Sequence, residues 1–150
     1  MTVIHEAAPE DLAFIKACYS QLDRAMVQLL GQLVSVAPGT EFPRADEDWQ
    51  ELLTGRTGFL LVAHAEGRPA GIAVVRCKGG ETAHLEDLYV LPEFQRQGIG
   101  TALLNEVKAA VQSRGYRKLS LNVLPNNEAA RRLYRIQGFQ EVRVRMECDV

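Results

Sequence analysis

The chain has no apolar run long enough to span a bilayer, and its opening, MTVIHEAAPEDL, has no basic segment followed by an apolar one. These absences argue against membrane embedding and a secretory leader, and a cytoplasmic protein is the expectation. Cysteine is scarce. Cys18, Cys77 and Cys148 are odd in number, far apart and without a CxxC pair, which excludes a disulfide scaffold and fits reduced thiols. His5, His64 and His84 fall at no metal-ligand spacing, so no metal is expected. The formal net charge is −2 and the only basic cluster is a loose one from Arg131 to Arg145, so nucleic-acid binding has no electrostatic footprint. Repeats, linkers and low-complexity segments are also missing.

What is present is an ordinary globular composition, with 47% hydrophobic and 24% charged residues among 150. That length suits one domain, residues 1–150, with a proper core. Thr2 to Glu6 is a strand candidate, and Pro9 with Glu10 and Asp11 marks a helix start. Leu12, Ile15, Tyr19, Leu22, Met26, Leu29 and Leu33 recur every three or four residues, which predicts one long or kinked helix, or two, with a single apolar face. Ser35 to Arg44 carries two prolines and a glycine and reads as a loop. A short helix follows to Leu53, capped by Asp46 or its neighbour. Glu41, Asp46, Glu47, Asp48 and Glu51 make that region acidic, either as a solvated helix face or as the border of a site for a cation.

Gly58 to Ala65, Pro69 to Cys77 and Leu85 to Val90 are strands joined by short turns, which requires an antiparallel meander. A helix from Thr101 closes at Arg114-Gly115 and leads into the strand Lys118 to Leu124, which can lie parallel beside the preceding one. Pro125-Asn126-Asn127 opens a last helix with Ala129, Ala130, Leu133 and Ile136 inward, ended by Gly138, and Phe139 to Cys148 is expected as a strand or hairpin. The fold class is α/β (α+β): a mixed, largely antiparallel sheet flanked by helices, ending in a βαβ unit.

The chemistry concentrates in Leu85 to Leu104, LEDLYVLPEFQRQGIGTALL. Its glycines, Gly98 and Gly100, stand immediately before a helix, where unpaired N–H groups and the positive end of the helix dipole suit phosphate. Such turns also occur only to reverse the chain. The turn lacks the Gly-Lys-Ser/Thr of a nucleoside-triphosphate loop and the third glycine of a dinucleotide fingerprint, so a phosphate bound here belongs to another kind of cofactor.

QRQGIG after a strand and before a helix, followed by Asn127-x-x-Ala130-x-x-x-Tyr134-x-x-x-Gly138-Phe139, resembles the GNAT superfamily of acetyl-CoA-dependent N-acetyltransferases. Gln95, Gly98 and Gly100 meet the family's glycine motif. The resemblance implies a splayed parallel strand pair, with Leu88, Tyr89 and Val90 offering backbone bonds to the pantetheine arm and an N–H near Val90 polarising the thioester. Gln95, Arg96, Gln97, Gly98, Ile99, Gly100 and Thr101 would surround the pyrophosphate. Asn127 would bond the pantetheine, and Tyr134 would stand beside the thioester sulfur as general acid.

The base is less determined. Relatives that acetylate protein N-termini carry a glutamate where this chain has Asn122, which cannot accept a proton. LEDLYV resembles the corresponding strand of diamine and polyamine acetyltransferases. Adjacent strand residues face opposite sides, so only one of Glu86 and Asp87 is expected to face the acceptor. Glu86 is the favoured base, with Asp87 and water as alternatives. The resemblance implies an enzyme that acetylates a primary amine with acetyl-CoA as co-substrate, a small cationic amine being favoured as acceptor. Protein N-termini or lysines, aminoglycosides, and a silent coenzyme-binding module are the alternatives. Dimerisation is common in that family, and VRVRMECDV has the alternation of an edge strand suited to a homodimer.

Overall fold

The computed structural model describes residues 1–150. Five strands form one sheet in sequence order, β1 (Thr2–Glu6), β2 (Gly58–Ala65), β3 (Arg68–Arg76), β4 (Thr82–Val90) and β5 (Lys118–Leu121). The first three pairings are antiparallel and β4–β5 is parallel. Between β1 and β2 lie α1 (Leu12–Leu30), entered through a 3-10 turn at Pro9–Asp11, and α2 (Asp46–Leu53). The crossover α3 (Ile99–Ser113) joins β4 to β5, and α4 (Glu128–Ile136) follows. Contacts divide the chain into two compact units, Met1–Leu22 with Pro43–Asn122, and Asp23–Phe42 with Val123–Val150.

The first unit holds the sheet. One of its faces packs Leu60, Val62, Ile72 and Val74 against Ile15, Cys18, Trp49 and Leu52 of α1 and α2. The other is covered by α3, whose Ile99, Leu103, Leu104, Val107 and Val111 are buried. Burial on both faces explains why β2 and β3 read as continuous apolar runs rather than alternating ones. Truncating Leu103, which is fully buried, to alanine should cost roughly 2–5 kcal/mol. Arg114, just past α3, lies 4.1 Å from the Phe59 ring centroid and donates to Glu6 at 2.8 Å, pinning the end of the helix to β1 and β2.

Several expectations are corrected. Leu33 lies beyond α1 and is 43% exposed. α2 is capped by Ala45, the neighbour of Asp46 and one of the two expected positions, but without a side-chain bond, and Asp46, Glu47 and Asp48 fill its first turn. In the second unit α4 buries no residue, and Ile136 is 73% exposed rather than inward. Residues 139–150 form no strand. Val142, Val144 and Met146 alternate with polar residues, but they are exposed and join no ladder, and alternation alone does not make a strand.

Candidate functional site

The glycine turn begins as β4 ends. Pro92–Phe94 makes one 3-10 turn, Arg96 takes φ 63° and Gly98 takes φ 80° as the N-cap of α3. Gly98 needs its glycine, because a left-handed φ is strained for any side chain. A Cβ there would meet nothing within 4 Å, so space is left beside the backbone. Ala102 N–H to Gly98 C=O, 3.0 Å, is the first bond of the helix, and the N–H groups just before it have no partner within α3. Gln95 donates from Nε2 to the Val90 carbonyl at 2.9 Å, tying the turn back to the strand. Gln95 to Gly98 are open to solvent, and a turn of this kind could seat an anion.

Beside that turn the parallel ladder is short. The β4–β5 ladder runs only from Thr82↔Lys118 to Leu85↔Leu121, whereas β4 continues to Val90. The parallel ladder thus stops short of Leu88, Tyr89 and Val90, on the edge that leads to the turn. On the other edge β4 stays paired to β3 as far as Gly71↔Val90. Gly71 permits that approach, since a Cβ there would lie 2.7 Å from the Tyr89 carbonyl and 3.3 Å from Leu103 Cδ1. Tyr89 turns its hydroxyl to Gln21 Oε1, 3.4 Å away.

Glu86 and Asp87 do not face opposite sides. The β3–β4 register passes from Val74↔Asp87 to Val75↔Leu85, so Glu86 is the extra residue of a β-bulge. Both carboxylates then reach one guanidinium: Arg44 donates from Nη1 to Glu86 Oε1 and from Nη2 to Asp87 Oδ2, each at 2.8 Å. Arg44 also donates to Asp48 at 2.6 Å, and Arg76 donates to both Glu86 oxygens and to Asp48 at 3.0–3.1 Å. The Arg44 guanidinium lies over Tyr19 and Trp49, 5.3 and 5.1 Å from their ring centroids, where the rings' negative faces favour a cation. Its Nε is buried without a hydrogen-bond partner.

Burial pushes the Glu86 carboxyl upward, but the bonds from Arg76 and Arg44 outweigh it and hold its pKa below the ordinary range. Asp48 is lowered by the same balance. Arg76, 9% exposed, is raised chiefly by its bond to Glu86. Arg44 is raised too, although its burial works the other way.

Sequence reasoning missed Arg44 and Arg76. The available signals were a single arginine closing the apolar run PAGIAVVR, and another joining a proline loop to an acidic helix. Asn127 and Tyr134 belong to the second unit. Asn127 is the N-cap of α4, its Oδ1 accepting the Ala130 N–H at 3.3 Å, which leaves its amide NH₂ as donor. Tyr134 is half-buried, its ring edge-on to Phe139 at 5.6 Å.

Known proteins share this fold. The chain is 38% identical over 102 residues to the thialysine N-epsilon-acetyltransferase of Bos taurus, covering 59% of this chain and 60% of that protein. It spans about half the length of the curated relatives it matches. The tetramutant of the BH1408 protein from Bacillus halodurans superposes with TM-score 0.81 at 20% identity, over 99% of each chain. The aminoglycoside acetyltransferase AAC(6')-Iy, solved with a bisubstrate analog, superposes with TM-score 0.72 at 21% identity, also over 99% of each. At such identities the likeness speaks for the fold alone. A sequence model described as the acetyltransferase (GNAT) family matches residues 24–139, most of the chain, and the chain belongs to that family.

Proposed function

We propose that this chain transfers the acetyl group of acetyl-CoA to a primary amine by direct attack in a ternary complex. The observation that carries the reading is that the parallel ladder stops at Leu85, short of Leu88 to Val90, on the strand that runs on into the glycine turn and the N-terminus of α3. A long ligand with an amide-bearing arm and a pyrophosphate matches that pair of features. Strand-like bonds suit the arm, and helix N–H groups with Arg96 suit the phosphates. Acetyl-CoA supplies an activated thioester, and family membership together with the named acetyltransferase relatives supports that choice.

Within this reading Gln95 to Thr101 hold the pyrophosphate, Leu88, Tyr89 and Val90 align the arm, and the Asn127 amide bonds it. Tyr134 donates to the departing sulfur. A thiol near 8.5 and a tyrosine near 10 make full proton transfer uphill by roughly 2 kcal/mol, so Tyr134 serves more as a hydrogen-bond donor than as a full acid. The acceptor amine must lose a proton before attack, since an alkyl ammonium has a pKa of about 10.4. Glu86 is a weak base because two guanidiniums stabilise its charge. The bonds from Arg44 and Arg76 fill three of its about four acceptor sites, and we assign the remaining one to a water that relays the proton. A small cationic amine remains the favoured acceptor, because three carboxylates, Asp48, Glu86 and Asp87, face two guanidiniums.

The test is to incubate pure protein with acetyl-CoA and a panel of cationic and neutral amines and follow thiol release. Turnover that favours cations and falls with salt supports the reading. Coenzyme binding without turnover on any amine identifies a silent module, and absence of coenzyme binding by calorimetry overturns the proposal.

A further inference from the structure

Strand pairing brings together ligands that sequence spacing keeps apart. We propose that His5, Asp11 and His64 form a binding site for one zinc-like divalent ion, in which a strand, its neighbour and the entrance to α1 each supply a ligand. The β1–β2 register sets Val3 opposite His64 and His5 opposite Val62, so the two histidines are diagonal neighbours on one face of the sheet. Their rings stack with centroids 5.1 Å apart and planes 15° apart. Asp11, at the end of the 3-10 turn, brings Oδ2 to 4.0 Å from His5 Nδ1, and one donor atom from each residue lies within 4.8 Å of the other two.

The donor set selects the ion. Two imidazoles and a carboxylate suit zinc and its first-row neighbours, whereas magnesium and calcium require oxygen. Three protein ligands leave a fourth position for water. Zinc bonds of about 2.0–2.1 Å place tetrahedral ligands roughly 3.3 Å apart, so closing the site asks for movements of about an ångström. His5, with its side chain 40% exposed, has room to make them. Asp11 is already oriented, because its Oδ2 accepts the Ala8 N–H at 2.8 Å, the kind of outer contact that steadies a metal ligand. The His5 Nδ1 that faces Asp11 also lies 2.9 Å from the Glu6 carbonyl, a contact the ring gives up when Nδ1 takes the ion.

The site stands on β1 and β2 and is separated from β4 by β3, so it is independent of the acetyl chemistry. An ion here would clamp the edge strand β1 to β2 and to the start of α1, and binding to the folded state alone raises stability with ion concentration.

Untagged, chelator-stripped protein carrying Cys77→Ser and Cys148→Ser, which removes rival thiolate ligands, should be titrated with ZnCl₂ by calorimetry and thermal melting, with MgCl₂ as control. One zinc per chain is expected, with a melting temperature that climbs with zinc and ignores magnesium. His64→Ala and Asp11→Asn should each weaken zinc binding at least about tenfold. Asp11→Asn keeps an oxygen for the Ala8 N–H, so it tests the ligand without removing the turn. Should His64→Ala fail to fold, Co²⁺ absorption of the parent protein replaces it, and a tetrahedral spectrum without thiolate bands is expected. Zinc binding that survives Asp11→Asn and His64→Ala, or no binding below about 100 µM, overturns the proposal.

Discussion

Glu86 accepts from two guanidiniums at once, and replacing it tests structure and chemistry together. Glu86→Gln removes the charge to which Arg76, almost wholly buried, donates twice, while Asp48 remains. The loss should be on the order of 2–3 kcal/mol, read from urea midpoints. If Glu86 orients the proton-relaying water, the same variant flattens the pH–rate profile, and an unchanged profile assigns the proton to bulk solvent. Tyr134→Phe should lower turnover roughly 10- to 100-fold while leaving coenzyme affinity within about twofold. Full activity in that variant would remove the donor role. Cys18, fully buried and pushed up to about 12 by burial and then by Glu93, should resist a thiol reagent in the native protein, whereas exposed Cys148 reacts at once.

At the scale of elements, the turn into α3 makes the sharpest claim. Gly98→Ala meets no neighbour, so its whole effect is a left-handed φ forced on alanine, about 1 kcal/mol, or roughly 2–4 °C in melting temperature. Coenzyme affinity should fall with it, because the seat's N–H groups shift; equal affinity in the variant would detach the turn from binding. Gly71→Ala, facing a backbone oxygen at 2.7 Å, should be worse on both counts. Glycine and proline are also why so much was legible beforehand. Gly58, Pro92 and Gly115 punctuate the chain, and β2, α2 and α3 fall within a residue or two of their expected bounds. The bulge at Glu86 was not legible, because it exists only in register against β3. Nor were the partners of Glu86: Arg44 and Arg76 lie 42 and 10 residues away in sequence, and only the fold closes those distances. The strand expected over Phe139 to Cys148 failed for the converse reason, since its period was right and no ladder formed.

For the whole molecule the charged cluster governs acid stability, and the sign follows from its carboxylates. Asp48 and Glu86 are held below their ordinary pKa when folded. In the unfolded chain they bind protons near pH 4, so as pH falls the unfolded state takes up protons first and is favoured. Their contribution is therefore complete above about pH 5 and is lost as pH drops through the folded values. Arg44 and Arg76 stay charged throughout and add no slope of their own. Arg44→Gln removes a bond to each of Asp48, Glu86 and Asp87, so it should lower stability at pH 7 and also let Asp48 and Glu86 titrate closer to their unfolded range. Its stability should decline less steeply on acidification than that of the parent, and the two curves should draw together as pH falls. Urea midpoints taken from pH 3 to pH 7 measure both slopes. Curves that run parallel over that range would mean Arg44 contributes packing against Tyr19 and Trp49 and no charge coupling to the carboxylates.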